Sequence, residues 1–297
     1  KWVAVAGAIV VVGFATLQLA LPADSLKYIG YGDSTIQPYL TIDQNEQYVR
    51  HNSTLRGPNP LGAYAASVVL IALALLTARP SRSSKLITWL LSIGGLIAVV
   101  SSFSRSAALA LGIGGLFILA IRYLKKLSRI QFSVIIVALI FMAGSFFLVR
   151  DSHFISHVVL HEDPNESGLV NSNDEHLRSL QNGSERMATQ PLGAGIGSTG
   201  SASLYGEEPM IIENQYLYVA HETGWLGLLL FLGLNGLVLW RLWLIKTQPW
   251  ALGLLASGLG LAVAALFLPV WADDTVAIVW WGMAGALLAT KPEKGRK

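Results

Sequence analysis

Long apolar runs broken by short polar clusters set the pattern of this chain. Eight of them, each of about 16 to 24 residues, approach the ~20 that a helix needs to cross a bilayer core. They lie at about residues 2–21, 61–78, 86–103, 106–122, 130–149, 216–240, 250–270 and 275–290. The expected fold is all-α, a polytopic transmembrane helix bundle. Residues 1–149 would hold helices one to five with a loop at 22–60, residues 150–212 a large polar loop, and residues 213–297 the last three helices and a tail. Glycines within the runs, such as Gly94, Gly95, Gly112, Gly114 and Gly115, are ordinary for membrane helices, where small residues let backbones approach. The chain is apolar from Trp2 and shows no cleavable leader pattern, which predicts further membrane helices ahead of Lys1.

The 150–212 segment is too polar to span and too long for a bare connection. Within it, residues 173–188 read as a helix with Asn173 as its cap. Asp174 and Glu175 fall in the first turn, where a helix N-terminus favours acids, and Leu177, Leu180 and Met187 give an apolar face. Residues 190–200 read as a glycine-rich turn, and from Ile211 a helix is expected to enter the sixth span without a break.

Charge orients the pattern. If the first run leaves the cytoplasm, 14 of the 21 basic residues lie inside: Lys1, Arg79, Arg82, Lys85, Arg122, Lys125, Lys126, Arg129, Arg241, Lys246, Lys291, Lys294, Arg296 and Lys297. Of the 18 acidic residues only Glu293 joins them. This bias predicts that both ends are cytoplasmic. With 53% apolar residues, 13% charged and a mean hydropathy of +0.53, a soluble protein is excluded. The +3 net charge reflects inner loops that grip anionic headgroups, and is no sign of nucleic-acid binding. Cysteine is absent, which excludes disulfides, thiolate catalysis and thiolate metal sites.

Seven basic residues remain on the outer side, and four outer features stand out. Leu55-Arg56-Gly57-Pro58-Asn59-Pro60-Leu61-Gly62 precedes the second span, and Ser104-Arg105-Ser106-Ala107 forms the turn between the third and fourth. Arg178 is followed by Gln190-Pro191-Leu192-Gly193-Ala194-Gly195-Ile196-Gly197, and Glu213-Asn214 precedes Gly224-Trp225-Leu226-Gly227. Each has a bland account: an arginine snorkelling to headgroups, prolines breaking the chain before a helix, glycines forming a packing face. Collectively, arginines at three helix ends and one depth point to a shared anion. Guanidinium groups match phosphate oxygens bidentately, so several would suit a diphosphate.

In order and spacing these features resemble the O-antigen ligase and O-antigen polymerase family of bacterial envelope glycosyltransferases, most clearly over residues 50–230. Members carry an Arg-Gly segment with Pro-Asn ahead of a span and a Ser-Arg-small-small turn. A loop with an Arg and a Pro-Leu-Gly-x-Gly-x-Gly run follows, then a His-Asn or His-Ser pair, nine residues and Gly-x-x-Gly. The resemblance implies an enzyme of the bacterial inner membrane with an outward active site. It would take a glycan from undecaprenyl diphosphate and pass it to a hydroxyl, on lipid A core or on another lipid-linked repeat. Transfer is expected to proceed with inversion, without metal or cofactor. Arg56, Arg105 and Arg178 would neutralise the leaving diphosphate. Arg186, two turns from Arg178, shares about its face. Where the family has its His, the presumed base, this chain has Glu213; a carboxylate can serve if partial burial raises its pKa. His176 and His221 are rival bases, and Asn59, Asn214 and Glu222 complete the expected substrate-binding set. The substitution at 213 shifts weight from ligase toward polymerase.

Other motifs carry less. Gly195-Ile196-Gly197-Ser198-Thr199-Gly200 fits a dinucleotide fingerprint, but no buried strand precedes it. His153, His157 and His161 could share a helix face as metal ligands beside Glu162 and Asp163, although solvated imidazoles on an interfacial helix explain them as well. Asp273 and Asp274 have no cation nearby in sequence; they could pair with an outer arginine, grip a sugar or stay solvated. A flippase for lipid-linked glycans would need charges or helix breaks near the bilayer midplane, and the charges gather at one face.

Overall fold

The computed structural model describes residues 2–32, 34–42, 45–78, 81–123, 172–206 and 209–289. The fifth apolar run, the His153, His157 and His161 series and the tail cations lie outside the described residues. The described helices are α1 (Trp2–Gln18), α2 (Pro58–Leu76), α3 (Arg82–Ser102), α4 (Arg105–Tyr123), α5 (Ser172–Thr189), α6 (Gln215–Leu244), α7 (Pro249–Ala264) and α8 (Asp274–Ala289). By length and composition α2, α3, α4 and α6 can cross a membrane, while α1, α7 and α8 are shorter apolar helices. The chain is an all-α membrane helix bundle, as its apolar periodicity predicts.

α2 stands at the centre, against α3, α4 and α7. The approach is close because glycines face it. A methyl group at Gly95 would lie 2.6 Å from Val69 Cγ2, and one at Gly253 would lie 2.6 Å from Ile71 Cα. At Gly114 it would lie 2.5 Å from Leu70 Cδ1. Lipid is as apolar as leucine, so backbone proximity and dispersion hold such helices together. α6 is the opposite case. Only 6% of its 18-residue apolar window is buried, so most of that stretch is left uncovered by the described helices.

The bundle has two chemically distinct ends. One gathers the α2–α3 connection with Arg82 and Lys85, the end of α4, and the α6–α7 turn. There Arg122 Nη2 donates to the Thr247 carbonyl at 3.3 Å, near Arg241 and Lys246. The other end carries residues 50–60, the α3–α4 turn, the start of α6 and the α7–α8 loop. Three features of this second end depart from expectation. The 22–60 loop is structured, with a 3-10 helix (Ala23–Ile29) and an antiparallel hairpin of β1 (Leu40–Ile42) and β2 (Asn45–Arg50), Leu40 opposite Arg50. α6 begins at Gln215 rather than Ile211, because the Asn214 side chain accepts from the Tyr216 and Leu217 amides at 3.0 and 3.1 Å and so caps the helix there. α6 is also broken at Gly224.

Candidate active site

The segment from Arg50 to Gly62 is locked from both sides before it delivers any side chain. Ser53 is fully buried with a positive φ of 53°. Its amide donates to Gln18 Oε1 at 2.7 Å, and its hydroxyl donates to the Val11 carbonyl at 2.6 Å, which ties the loop to α1. Asn52 is buried with Nδ2 donating to the Gln37 carbonyl at 2.7 Å, and Leu55 enters the core. On the other side the His51 amide donates to the Ser101 carbonyl at 3.1 Å. The start of α2 sits directly on the α3–α4 turn. A methyl group at Gly62 would lie 2.7 Å from Ser102 Oγ and 2.8 Å from Ala107 Cβ, so only glycine allows this seating.

Whereas Arg56 and Arg105 are exposed, Arg50, at the end of β2, is half-buried. Its Nε donates to the Ser102 carbonyl at 3.0 Å, and its Nη2 donates to Asn59 Oδ1 at 2.6 Å. Burial, together with the charge of nearby Arg105, pulls its guanidinium down to about 10. Positive charge held at a half-covered site suits a bound anion. Arg105, at the first position of α4, is exposed.

Arg56 is exposed on the same segment and pairs with Asp274 at 2.9 Å. Both side chains are at least half exposed, so the pair is worth under about 1 kcal/mol in stability. It does place Arg56 beside the α7–α8 loop. That loop is latched to the start of α6: buried Gln215 accepts through Oε1 from the Trp271 and Ala272 amides at 2.8 and 3.2 Å. The Gln215 amide donates to the Ala265 carbonyl at 2.8 Å, and Asn214 Nδ2 donates to Leu266 at 2.9 Å. Half-buried Glu213 therefore borders one flank of a loop whose other flank holds Arg56. Its amide donates to Ser179 Oγ at 3.0 Å, which fastens it to α5 next to Arg178. Arg178 is exposed.

Asp273 is the titrating member of this loop. Burial foremost, and Asp274 beside it, push its carboxyl above the usual range, against the Val276 amide and Arg56. A raised folded pKa favours the protonated form, so its contribution to stability is complete below the ordinary carboxylate pKa and disappears as pH rises through the raised value. Asp273→Asn should thus raise the thermal midpoint at neutral pH and lose that advantage in acid. Equal midpoints at neutral pH would contradict this origin for the shift.

The glycine-rich turn docks into the break in α6. The Ala194 and Gly195 amides donate to the carbonyls of His221 and Glu222 at 2.7 and 3.1 Å, and the Trp225 amide donates to Pro191 at 3.0 Å. Gly224, at φ 71° and ψ −173°, is in a region essentially confined to glycine, with Pro191 and Leu192 backbone where a methyl group would be. Glu222 Oε1 accepts from the Gly197 amide at 2.8 Å, and His221 is buried beside it. Gly224→Ala should destabilise the fold by about 1–3 kcal/mol. The lowered thermal midpoint should come with faster proteolysis between residues 190 and 200; an unchanged midpoint would show that the break relaxes without cost.

The sequence-derived candidates thus separate into groups. Asn59 bonds Arg50 beside the α3–α4 turn that bears Arg105, Arg56 pairs with Asp274 of the α7–α8 loop, and Glu213 and Arg178 lie along α5 and the start of α6. Asn214 is occupied as a cap, and His221, Glu222 and Arg186 belong with the docked turn. The His176 side chain lies outside the described residues. Sequence reasoning passed over Arg50 and Gln215; the one available signal for Arg50 was its place nine residues before Asn59. The described element directly before Gly195 is α5 rather than a buried strand, which weighs against the dinucleotide reading. Among the described residues no group of three or more His, Asp or Glu side chains is arranged to hold a metal ion.

These features define a polytopic membrane protein with a cationic cluster gathered at one end of its helices. A family model described as O-antigen ligase matches residues 90–232, from α3 into α6, and supports the O-antigen ligase family for this chain. The match takes in Arg105, Arg178, the docked turn, Glu213 and Gly224, while Arg50, Arg56 and Asn59 lie before it. No curated protein matches the chain.

Proposed function

We infer that this protein is a glycosyltransferase that moves a glycan from undecaprenyl diphosphate to a hydroxyl at the outer face of the bacterial inner membrane, in the manner of an O-antigen ligase. The observation that carries the reading is the half-buried Arg50, held by the Ser102 carbonyl and Asn59 beside the α3–α4 turn that bears Arg105, at the end of the bundle away from Arg82, Arg122, Arg241 and Lys246. The basic end would face the cytoplasm, which turns the cluster outward.

The acceptor oxygen bonds to the anomeric carbon as the bond from that carbon to the diphosphate oxygen breaks. Its proton passes to Glu213, and the electron pair departs on the diphosphate. Arg50, Arg105 and Arg56 meet that developing charge, with Arg178 approaching from α5. The Arg50 guanidinium is fixed beforehand by the Ser102 carbonyl and Asn59, so it needs little reorganisation as the charge forms. Energy comes from the diphosphate ester, and no nucleotide is needed.

The test is purified protein in lipid with a lipid-linked glycan donor, assayed with and without acceptor. Release of undecaprenyl diphosphate that requires acceptor supports transfer. Donor movement across the bilayer with no bond cleavage would replace this reading with a flippase. Products of increasing repeat number on the lipid carrier would identify the polymerase of the same family.

A further inference from the structure

We propose that the docked glycine-rich turn is a membrane-interface anchor, which lays Leu192 and Ile196 into the lipid headgroup and acyl boundary at the site end of α6. Both side chains are large, apolar and almost fully exposed, at 91% and 89%. A mobile loop could show the same exposure with no meaning, but this one is held. The Gly193 amide donates to Gln190 at 2.9 Å, and the Ala194, Gly195 and Trp225 bonds tie the same backbone to α6. The turn therefore presents Leu192 and Ile196 in fixed positions.

The depth of the turn follows from what it is bonded to. The first residues of α6, Gln215 to Thr223, include Gln215, His221, Glu222 and Thr223. From Trp225 the helix is apolar apart from Asn235 until Arg241. The boundary between a wet and a lipid-facing stretch therefore falls at Gly224. Leu192 lies against that residue, since a methyl group on Gly224 would come 2.9 Å from Leu192 Cα. Ile196 sits between two glycines bonded to Glu222, just on the wet side. Trp225 and Leu226, 51% and 69% exposed, continue the apolar surface down α6. Tryptophan favours this level of a bilayer, and its indole Nε1 donates to the Met187 carbonyl at 2.7 Å, which joins α5 to the same level. The occupant is lipid because the exposed patch is continuous with the lipid-facing surface of a spanning helix.

The chain contains no cysteine, so one thiol can be placed at will. Leu192→Cys and Ile196→Cys, each carrying an environment-sensitive fluorophore, are compared with Gln181→Cys on the exposed surface of α5, with single copies of the full chain in phosphatidylethanolamine and phosphatidylglycerol nanodiscs. Leu192 and Ile196 pack against little, so replacing them leaves the fold in place. Labels at 192 and 196 should emit further to the blue, be quenched several-fold more by a nitroxide on the lipid headgroup, and be quenched several-fold less by aqueous iodide. Iodide quenching equal to that at Gln181 overturns the proposal. Protection from both quenchers also overturns it, since protein rather than lipid would then cover the patch. Turnover is not measured, so the result is independent of whether the protein transfers glycans.

Discussion

Arg50→Ala is expected to cut acceptor-dependent release of undecaprenyl diphosphate by about 100- to 1000-fold, the usual loss when one preorganised stabiliser of a developing anion is removed. Arg50 combines three properties in one side chain: it is half-buried, it is oriented by Ser102 and Asn59, and it stands against a second guanidinium. Truncation removes the charge and frees Asn59 together. Arg50→Lys separates the two contributions. An ammonium keeps the charge but cannot hold the Ser102 carbonyl and Asn59 while presenting a planar fork to phosphate, so rescue should be partial. Arg105→Ala should fall in the same range, and the double variant should lose less than the product of the two, because the pair acts on one leaving group. A purely structural Arg50 would show itself through a lowered thermal midpoint with turnover per folded molecule unchanged.

How much of this was legible beforehand depends on the kind of signal. The spans were readable because crossing a bilayer demands a length of apolar chain, and every described apolar helix lies within a few residues of its expected place. α5 was readable as well, at Ser172–Thr189 against an expected 173–188. The order of the Arg, glycine and acidic motifs placed them at one end. Which arginine of the 50–62 segment turns inward was not readable. Arg56 drew attention by standing next to Gly57-Pro58-Asn59, yet the short β2 strand and the buried Ser53 turn aim Arg50 at the α3–α4 turn and leave Arg56 for Asp274. That ion pair joins residues more than two hundred positions apart, and no local pattern announces it. The break in α6 was hidden for another reason. Gly224 stands out in the sequence as part of Gly-x-x-Gly, but its positive φ depends on the partner backbone of Pro191 and Leu192 arriving from another loop.

Glu213→Gln should lower turnover by about 100- to 10,000-fold, the range for loss of a positioned general base, with little effect on the thermal midpoint. The glutamine keeps the shape and the amide bond to Ser179, so the change isolates the carboxylate. A more demanding test is Glu213→His, which installs the residue the family resemblance expects at this position. If the site needs a proton acceptor next to the acceptor hydroxyl, histidine should restore much of the rate. His221, the rival base, is buried where the docked turn meets α6. Unchanged turnover in Glu213→Gln would remove Glu213 as the base. A histidine variant as inactive as the glutamine one, with its fold intact, would instead assign the carboxylate to orienting the sugar, because that task depends on its geometry and charge and an imidazole cannot reproduce them.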